Sequence, residues 1–247
     1  MFIFYILVGT LIGFLSGLFG IGGSIIGTPV LKVFFGIPDL IALASPLPVT
    51  IPTAISGVYG HFRHGKVDKK LAIMTIITGL PATVIGAYCT KFINSHWLMI
   101  LTGMFVTLTG IRLLGGNIEK STFNKYLSVY SMAGLIGVVA GFFSGLLAIG
   151  GGIILIPAFI LILGLTMQEA AGISLLCVAA FAIPGTLVHW GLNHIDWHLV
   201  LGLSIGVIPA SYLGSKVCLT VKSCLLQKVF SVFLILFGIY FIFRQFI

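Results

Sequence analysis

Gly13-Phe14-Leu15-Ser16-Gly17-Leu18-Phe19-Gly20-Ile21-Gly22-Gly23-Ser24-Ile25-Ile26-Gly27-Thr28-Pro29 returns later in the chain, nearly unchanged. The second copy reads Gly141-Phe142-Phe143-Ser144-Gly145-Leu146-Leu147-Ala148-Ile149-Gly150-Gly151-Gly152-Ile153-Ile154-Leu155-Ile156-Pro157. The offset is 141 − 13 = 128 residues. A duplicated, glycine-interrupted apolar segment places a binding site where the two copies meet.

The solvent around these segments follows from composition. Of 247 residues 59% are hydrophobic and 7% charged, and the mean hydropathy is +1.22. A soluble domain carries roughly 25% charged residues, so this chain cannot face water on all sides. In lipid each span satisfies its own backbone as a helix, and the strand alternation of a β-barrel is absent. The opening apolar run lacks a basic n-region, the first cation being Lys32, and reads as a retained span. Cys89, Cys177, Cys218 and Cys224 have no metal-type spacing and read as buried thiols. The net charge of +8 suits loops on one membrane face rather than nucleic-acid binding.

Runs long enough to cross a bilayer fall near 2–19, 22–37, 40–62, 71–91 and 96–114, then near 126–147, 149–165, 170–191, 198–217 and 225–245. The 128-residue offset pairs Gly57 with Gly185, His61 with His189, Asp68 with Asp196, Pro81 with Pro209, Gly86 with Gly214 and Gly110 with Gly238. It slips by one, to 174 − 45 = 129, where Ala42-Leu43-Ala44-Ser45 is matched to Ala171-Gly172-Ile173-Ser174. Five segments per copy is an odd number, so the second copy enters the membrane from the opposite side. With both termini outside, the cytoplasmic face collects Arg63, Lys66, Lys69, Lys70, Arg112, Lys120, Lys125, Lys216, Lys222 and Lys228, while Lys32, Lys91 and Arg244 stay outside. The basic loop 63–70 and its counterpart 192–198, which has no Lys or Arg, agree with that parity. The expected fold is an all-α polytopic membrane protein of two inverted-topology repeats, each of about five helical segments, with glycine-broken helical hairpins. Residues 1–114 form the first repeat, 115–125 a cytoplasmic linker and 126–247 the second repeat.

A helix restarting after a glycine turn presents unpaired N–H groups and its positive dipole end, which suits an anion. This makes Gly22, Gly23, Ser24 and Thr28 in one copy, and Gly150, Gly151 and Gly152 in the other, candidate substrate-binding residues. Ser45 and Ser174 are candidates to complete the lining. The GxxxG spacings Gly13–Gly17 and Gly141–Gly145 also serve close helix packing, whereas consecutive glycines are not needed for packing. A leucine at Gly23 or Gly151 should therefore abolish transport, with the same change at Gly238 milder. His61 and His189 sit near equivalent span ends as candidates for a proton or anion relay. The alternative for both is an interfacial histidine meeting headgroups and water, and the remaining histidines read as loop residues. Pro46, Pro48 and Pro52 should kink or unwind the third segment, where the second copy has only Pro184.

Asp39, Asp68, Glu119, Glu169 and Asp196 all fall at segment ends or in loops. That argues against a carboxylate relay or an acidic cation filter. No nucleotide-phosphate loop, metal motif, or paired nucleophile and base occurs; an enzyme is not expected, nor any cofactor or metal.

Through Gly20-Ile21-Gly22-Gly23-Ser24 with Pro29-Val30-Leu31, Gly150-Gly151-Gly152 with Pro157, and Gly65-Lys66-Val67-Asp68 with Asn193-His194-Ile195-Asp196, the chain resembles the TauE/SafE family of sulfite-exporter-like transporters. The resemblance implies an inner-membrane permease for sulfite, sulfonates or related small anions. Ser24 and Asn193 stand where that family's pattern has glycine. The expected partners are a small anionic substrate, the lipid bilayer and a coupling ion, H+ or Na+. The alternative is a passive anion channel, or a carrier for another small organic anion. The particular anion, the direction of transport and the oligomeric state are not fixed by these residues.

Overall fold

A computed structural model describes residues 2–63, 67–92, 95–115, 129–148 and 150–243. The expected linker 115–125, apart from Gly115, lies outside the described residues, as do His64, Gly65, Lys66 and Arg244. The helices run in chain order as α1 (Phe2–Phe19), α2 (Ser24–Phe35), α3 (Asp39–Ala44), α4 (Pro46–Arg63), α5 (Lys69–Cys89), α6 (Ser95–Leu114), α7 (Val129–Leu147), α8 (Gly152–Leu163), α9 (Met167–Gly191), α10 (Trp197–Thr220) and α11 (Ser223–Phe243). No strand occurs among the described residues.

Six stretches among the described residues are long and apolar enough to cross a membrane: Leu40–Phe62, Lys69–Cys89, Val129–Leu147, Met167–Gly191, Trp197–Thr220 and Ser223–Tyr240. Their outward faces carry large apolar side chains, such as Leu135 at 66% and Leu236 at 64% exposure. Only lipid accepts such a surface. The aligned aspartates have a structural role as N-caps. Asp68 Oδ1 accepts from Lys70 N (2.9 Å) and Leu71 N (3.1 Å), and Asp196 Oδ1 from His198 N (2.9 Å). Each supplies the acceptor that the first N–H groups of α5 or α10 lack.

α1 and α2 form a hairpin, since Phe4 and Tyr5 stack on Phe35 with centroids 5.5 and 5.0 Å apart. With 12 residues, α2 is about 18 Å long, too short for a ~30 Å hydrocarbon core. Its counterpart α8 also has 12 residues. The proline-rich third segment breaks at Ser45, giving α3 and α4 with Pro52 inside the latter, whereas α9 runs unbroken through Pro184.

The halves interlock. In α1 and α10 residue numbers rise together, Gly9 lying against Leu203, Gly13 against Val207 and Gly17 against Ser211, so the two helices are parallel. In α7 and α5 the same holds, with Gly137 against Thr75, Gly141 against Gly79 and Gly145 against Thr83. The glycines let the backbones touch, as in small-residue membrane packing. α4 and α9 are antiparallel, Leu47 meeting Gly185 and Leu175 meeting Gly57. α6 and α11 are antiparallel as well, Gly110 meeting Ser231 and Gly238 meeting Gly103. Each of these contacts becomes its partner contact when the halves exchange roles at a 128-residue offset. That register pairs Thr50 with Val178 and Pro46 with Ser174, so the one-residue slip matching Ser45 to Ser174 is not the one that packing follows.

Three contacts define one end of the bundle. Met167 N donates to Ser223 Oγ (2.9 Å), Gln168 Nε2 to the Val221 carbonyl (2.8 Å) and Gln227 Nε2 to the Leu113 carbonyl (3.1 Å). Lys70, stacked on Tyr130 at 4.3 Å, brings the starts of α5 and α7 to the same end. That end therefore holds Lys69, Lys70, Arg112, Lys222 and Lys228. The opposite end holds Lys32 and the Trp190–Trp197 pair, whose centroids are 5.6 Å apart.

Candidate functional site

Both glycine turns owe their shape to backbone that side chains disfavour. Gly20, Gly22, Gly150 and Gly151 have φ of 77°, 77°, 76° and 79°, in the left-handed region where a Cβ costs energy. The turns differ at one position, because Gly23 has φ −76° where its counterpart Gly151 is left-handed. Neither Gly23 nor Gly151 caps its helix with a side chain.

The turns meet each other. A Cβ built on Gly152 would lie 2.6 Å from Ile21 Cα and 2.5 Å from the Ile21 carbonyl oxygen, so glycine there is what lets the tips touch. Around this contact Gly22 and Gly150 converge on one pair of residues. A Cβ on Gly22 would stand 2.6 Å from Val178 Cγ1 and 2.9 Å from Thr50 Cγ2. One on Gly150 would stand 3.1 Å from Val178 Cγ1, 3.3 Å from Ser24 Oγ and 3.5 Å from Thr50 Cγ2. Because α4 and α9 cross with Leu47 opposite Gly185 and Gly57 opposite Leu175, this cluster lies midway along α9 and near the middle of the Leu40–Phe62 span.

Its polar half comes from the first copy. Ser24 N donates to Thr50 Oγ1 at 3.2 Å, and the two hydroxyls are 2.8 Å apart. Thr50 in turn donates to the Pro46 carbonyl at 3.1 Å, so the shared hydrogen lies on Ser24. Thr50 Oγ1 thus accepts both the N–H and the O–H that Ser24 offers. Thr53 Oγ1 lies 3.4 Å from a Cβ built on Gly23 and donates to the Val49 carbonyl at 2.6 Å. At the equivalent positions the second copy places Gly152, Val178 and Phe181, and Phe181 Cδ2 is 3.5 Å from a Cβ on Gly151. One scaffold therefore carries hydroxyls on one side and hydrocarbon on the other.

The remaining sequence candidates divide. Thr28 donates to the Ser24 carbonyl at 2.9 Å, so its proton is held within α2. Ser45 is fully buried and accepts from Asp196 N at 2.9 Å, tying the α3–α4 break to the loop before α10. Ser174 Oγ is buried with no hydrogen-bond partner among the described residues, as are Ser16, Ser144 and Thr186 hydroxyls. His61 and His189 are both buried, at opposite ends of the bundle, and the former packs against Gly172. His189 Nδ1 lies 3.3 Å from His194 Nδ1. Burial lowers His194 below the ordinary histidine range, keeping the ring neutral at pH 7.

Thr50, Thr53, Val178, Phe181 and His194 were not among the residues singled out. A Thr50–Thr53 pair one helical turn apart was readable in the proline-rich segment. His194 gave no signal, since only the fold brings the loop back onto α9. Among the described residues no group of three or more His, Cys, Asp or Glu could hold a metal ion.

The Sulfite exporter TauE/SafE family matches residues 5–241. A probable membrane transporter protein of Xylella fastidiosa (strain 9a5c) is 28% identical over 243 residues, covering 96% of this chain and 93% of its own length. The probable membrane transporter protein YdhB of Bacillus subtilis is 30% identical over 217 residues, 85% of this chain and 88% of its own. The similarity extends to the archaeon Methanocaldococcus jannaschii, whose probable membrane transporter protein MJ0441 is 29% identical over 86% of the chain and 84% of its own. With its multi-pass helical fold and end-to-end match, the chain belongs to the TauE/SafE family of membrane transporters.

Proposed function

We propose that this transporter moves a small anion, such as sulfite, an organosulfonate or a related sulfur oxyanion, across the cytoplasmic membrane by alternating access. The observation that carries the proposal is the meeting of the two glycine turns over Thr50, with both Ser24 donors engaged there. Thr50 Oγ1 takes the place an anionic oxygen would occupy. If α4 moves away from α2, the Ser24 N–H and O–H and the start of α2 become donors for an anion without any cationic side chain. Gly150, Gly151 and Gly152 supply the facing backbone, and Ser45 and Ser174 line the approaches from α3–α4 and α9.

Reciprocal contacts support two inverted repeats, 1–114 and 126–247, joined by the linker 115–125. Helix pairs that exchange under the repeat offset, α4 with α9 and α6 with α11, are antiparallel. The relating axis therefore lies across the helices, in the membrane plane. The positive-inside rule then assigns the lysine-bearing end, including loop 63–70 and the linker, to the cytoplasm and both termini to the outside.

The test is flux of sulfite, methanesulfonate, isethionate and thiosulfate in proteoliposomes. Saturable movement with trans-stimulation is expected. Flux without trans-stimulation indicates the alternative, a passive channel using the same turns. Absence of saturable flux across the panel rejects the reading.

A further inference from the structure

The end of the bundle away from the lysines carries a group of side chains that the anion site does not use. His189, in the last turn of α9, is 1% exposed, and its Nδ1 faces His194 Nδ1 at 3.3 Å. Two imidazole nitrogens can face each other only if one carries a hydrogen and the other a lone pair. His194 is partly exposed and reaches water; His189 does not. The loop that carries His194 is held in place, with Asn193 at φ 57° and Asp196 N bonded to Ser45 Oγ at 2.9 Å.

On the inner side, His189 is buried against the Gly145 backbone, which offers the ring a hydrogen bond; Nε2 makes no closer, well-aligned one among the described residues. Ser144, next in the chain, packs under the second glycine turn, its Cβ 3.1 Å from a Cβ built on Gly151. Thr186 is one turn before His189 on the same face, and its hydroxyl, like that of Ser144, is buried without a partner. Buried hydroxyls therefore stand one helical turn from His189, at Thr186, and next in the chain to the Gly145 backbone that meets its ring, at Ser144, which packs under the second glycine turn.

Resting on the reading of this chain as an anion transporter, we propose that His194 and His189 form a proton-binding relay that couples anion movement to protons. In the resting pair His194 carries its hydrogen on Nδ1 and donates to His189 Nδ1, while His189 carries its own on Nε2. Water at that end protonates His194 Nε2. The Nδ1–H bond of His194 breaks as its proton forms the Nδ1–H bond of His189. His194 is left neutral with one proton on Nε2, and His189 becomes an imidazolium facing the interior. One proton enters and one positive charge is held beside the anion's path. Rotation of the His194 ring brings its Nδ1 to water, where Nδ1 gains a proton as Nε2 gives one up, and this restores the first tautomer.

The groups around His189 permit this. α4, α5, α7, α8 and α11 pack against α9. At the His189 end, α5 brings Tyr88 and Cys89, the loop and α10 bring Asp196 and His198, and α2 brings Lys32. α7 and α8 bring no titratable side chain there, α11 brings Tyr240 at its far end, and Tyr59, His61 and Arg63 of α4 and the start of α11 lie at the other end. The Asp196 carboxylate is engaged as the cap of α10. Among the described residues, His194 is the titratable group in ring contact with His189, at 5.6 Å between centroids. The relay belongs to this end alone, because the repeat counterpart of His194 is 194 − 128 = 66, a lysine.

The test uses the full chain in proteoliposomes, with methanesulfonate and thiosulfate as probes because neither carries a proton near neutral pH, and a pH-sensitive dye in the lumen. Lumenal pH is expected to change in step with anion movement. His194→Gln and His189→Gln should each lose that pH change, while His198→Gln at the same end keeps it. Elution of each variant as a single species in detergent checks its fold. Independently of any variant, 15N NMR of the histidines in the unmodified chain should show two Nδ1 signals titrating as a coupled pair. Proton movement in His194→Gln at the unmodified level, or separate titration of the two rings, overturns the relay. Anion flux without proton movement in the unmodified chain overturns the relay and leaves the transporter reading standing. No flux of either probe, or of any anion in the wider panel, overturns both.

Discussion

Gly22→Ala and Gly23→Ala place the same methyl on adjacent residues of one turn, and the structure assigns them different outcomes. Gly22 has φ 77°, where an L side chain costs about 1–2 kcal/mol. Its new methyl would also lie 2.6 Å from Val178 Cγ1 and 2.9 Å from Thr50 Cγ2, an overlap worth about 1–3 kcal/mol. The sum is about 2–5 kcal/mol, or a fall in Tm on the order of 10 °C for a chain of this length. Gly23 has φ −76° and its nearest neighbours would be Thr53 Oγ1 at 3.4 Å and Ile12 Cγ2 at 3.5 Å. Alanine should fit there within about 1 kcal/mol. Adding Val178→Ala to Gly22→Ala removes the closer overlap and should recover about 1–2 kcal/mol, leaving the backbone cost. Thermal unfolding in one detergent, with flux measured in parallel, decides the matter. Equal loss in the two single variants, or no recovery in the double variant, would refute the assigned convergence of Gly22 on Val178.

Thr50→Val keeps the shape but removes the acceptor of both Ser24 donors. It should cost about 1–3 kcal/mol and reduce flux, with Thr50→Ser closer to the unmodified chain in both measurements. From sequence alone Gly238→Leu is milder than Gly23→Leu, but a Cβ at Gly238 would lie 2.6 Å from the Gly103 carbonyl oxygen; it should separate α6 from α11, lowering Tm as much as a turn variant does. His194 has a folded-state pKa below its ordinary value, so the unfolded chain binds more protons as pH falls through the histidine range, ~6.5 and below. Stability should drop with that acidification, and His194→Gln should flatten the slope of Tm against pH. Cys224 is exposed at the lysine-bearing end, so an impermeant maleimide should label it in inverted vesicles and not in intact cells; the opposite pattern reverses the assigned orientation.

The amino-acid sequence by itself determined the solvent and the course of most segments, although the third expected segment breaks at Ser45 into α3 and α4. A chain with 7% charged residues and no strand alternation satisfies its backbone as helices in lipid. It also determined the turns, since Gly22, Gly150 and Gly151 require a conformation that other residues resist. Glycine, proline, histidine and aspartate aligned at one offset carry the reading of two copies. Tertiary structure alone decided which segments touch. α1 packs on α10 and α7 on α5, an exchange between copies that local periodicity cannot encode because it arises from backbone contact at small residues. The same packing decided that Thr50 holds Ser24, that Val178 and Phe181 occupy the mirrored places, and that His194 returns to His189. A hydroxyl or ring nitrogen gains its chemistry from what faces it across space: Thr50 meets Ser24 from 26 residues away, and His194 meets His189 only because the chain folds back within five residues.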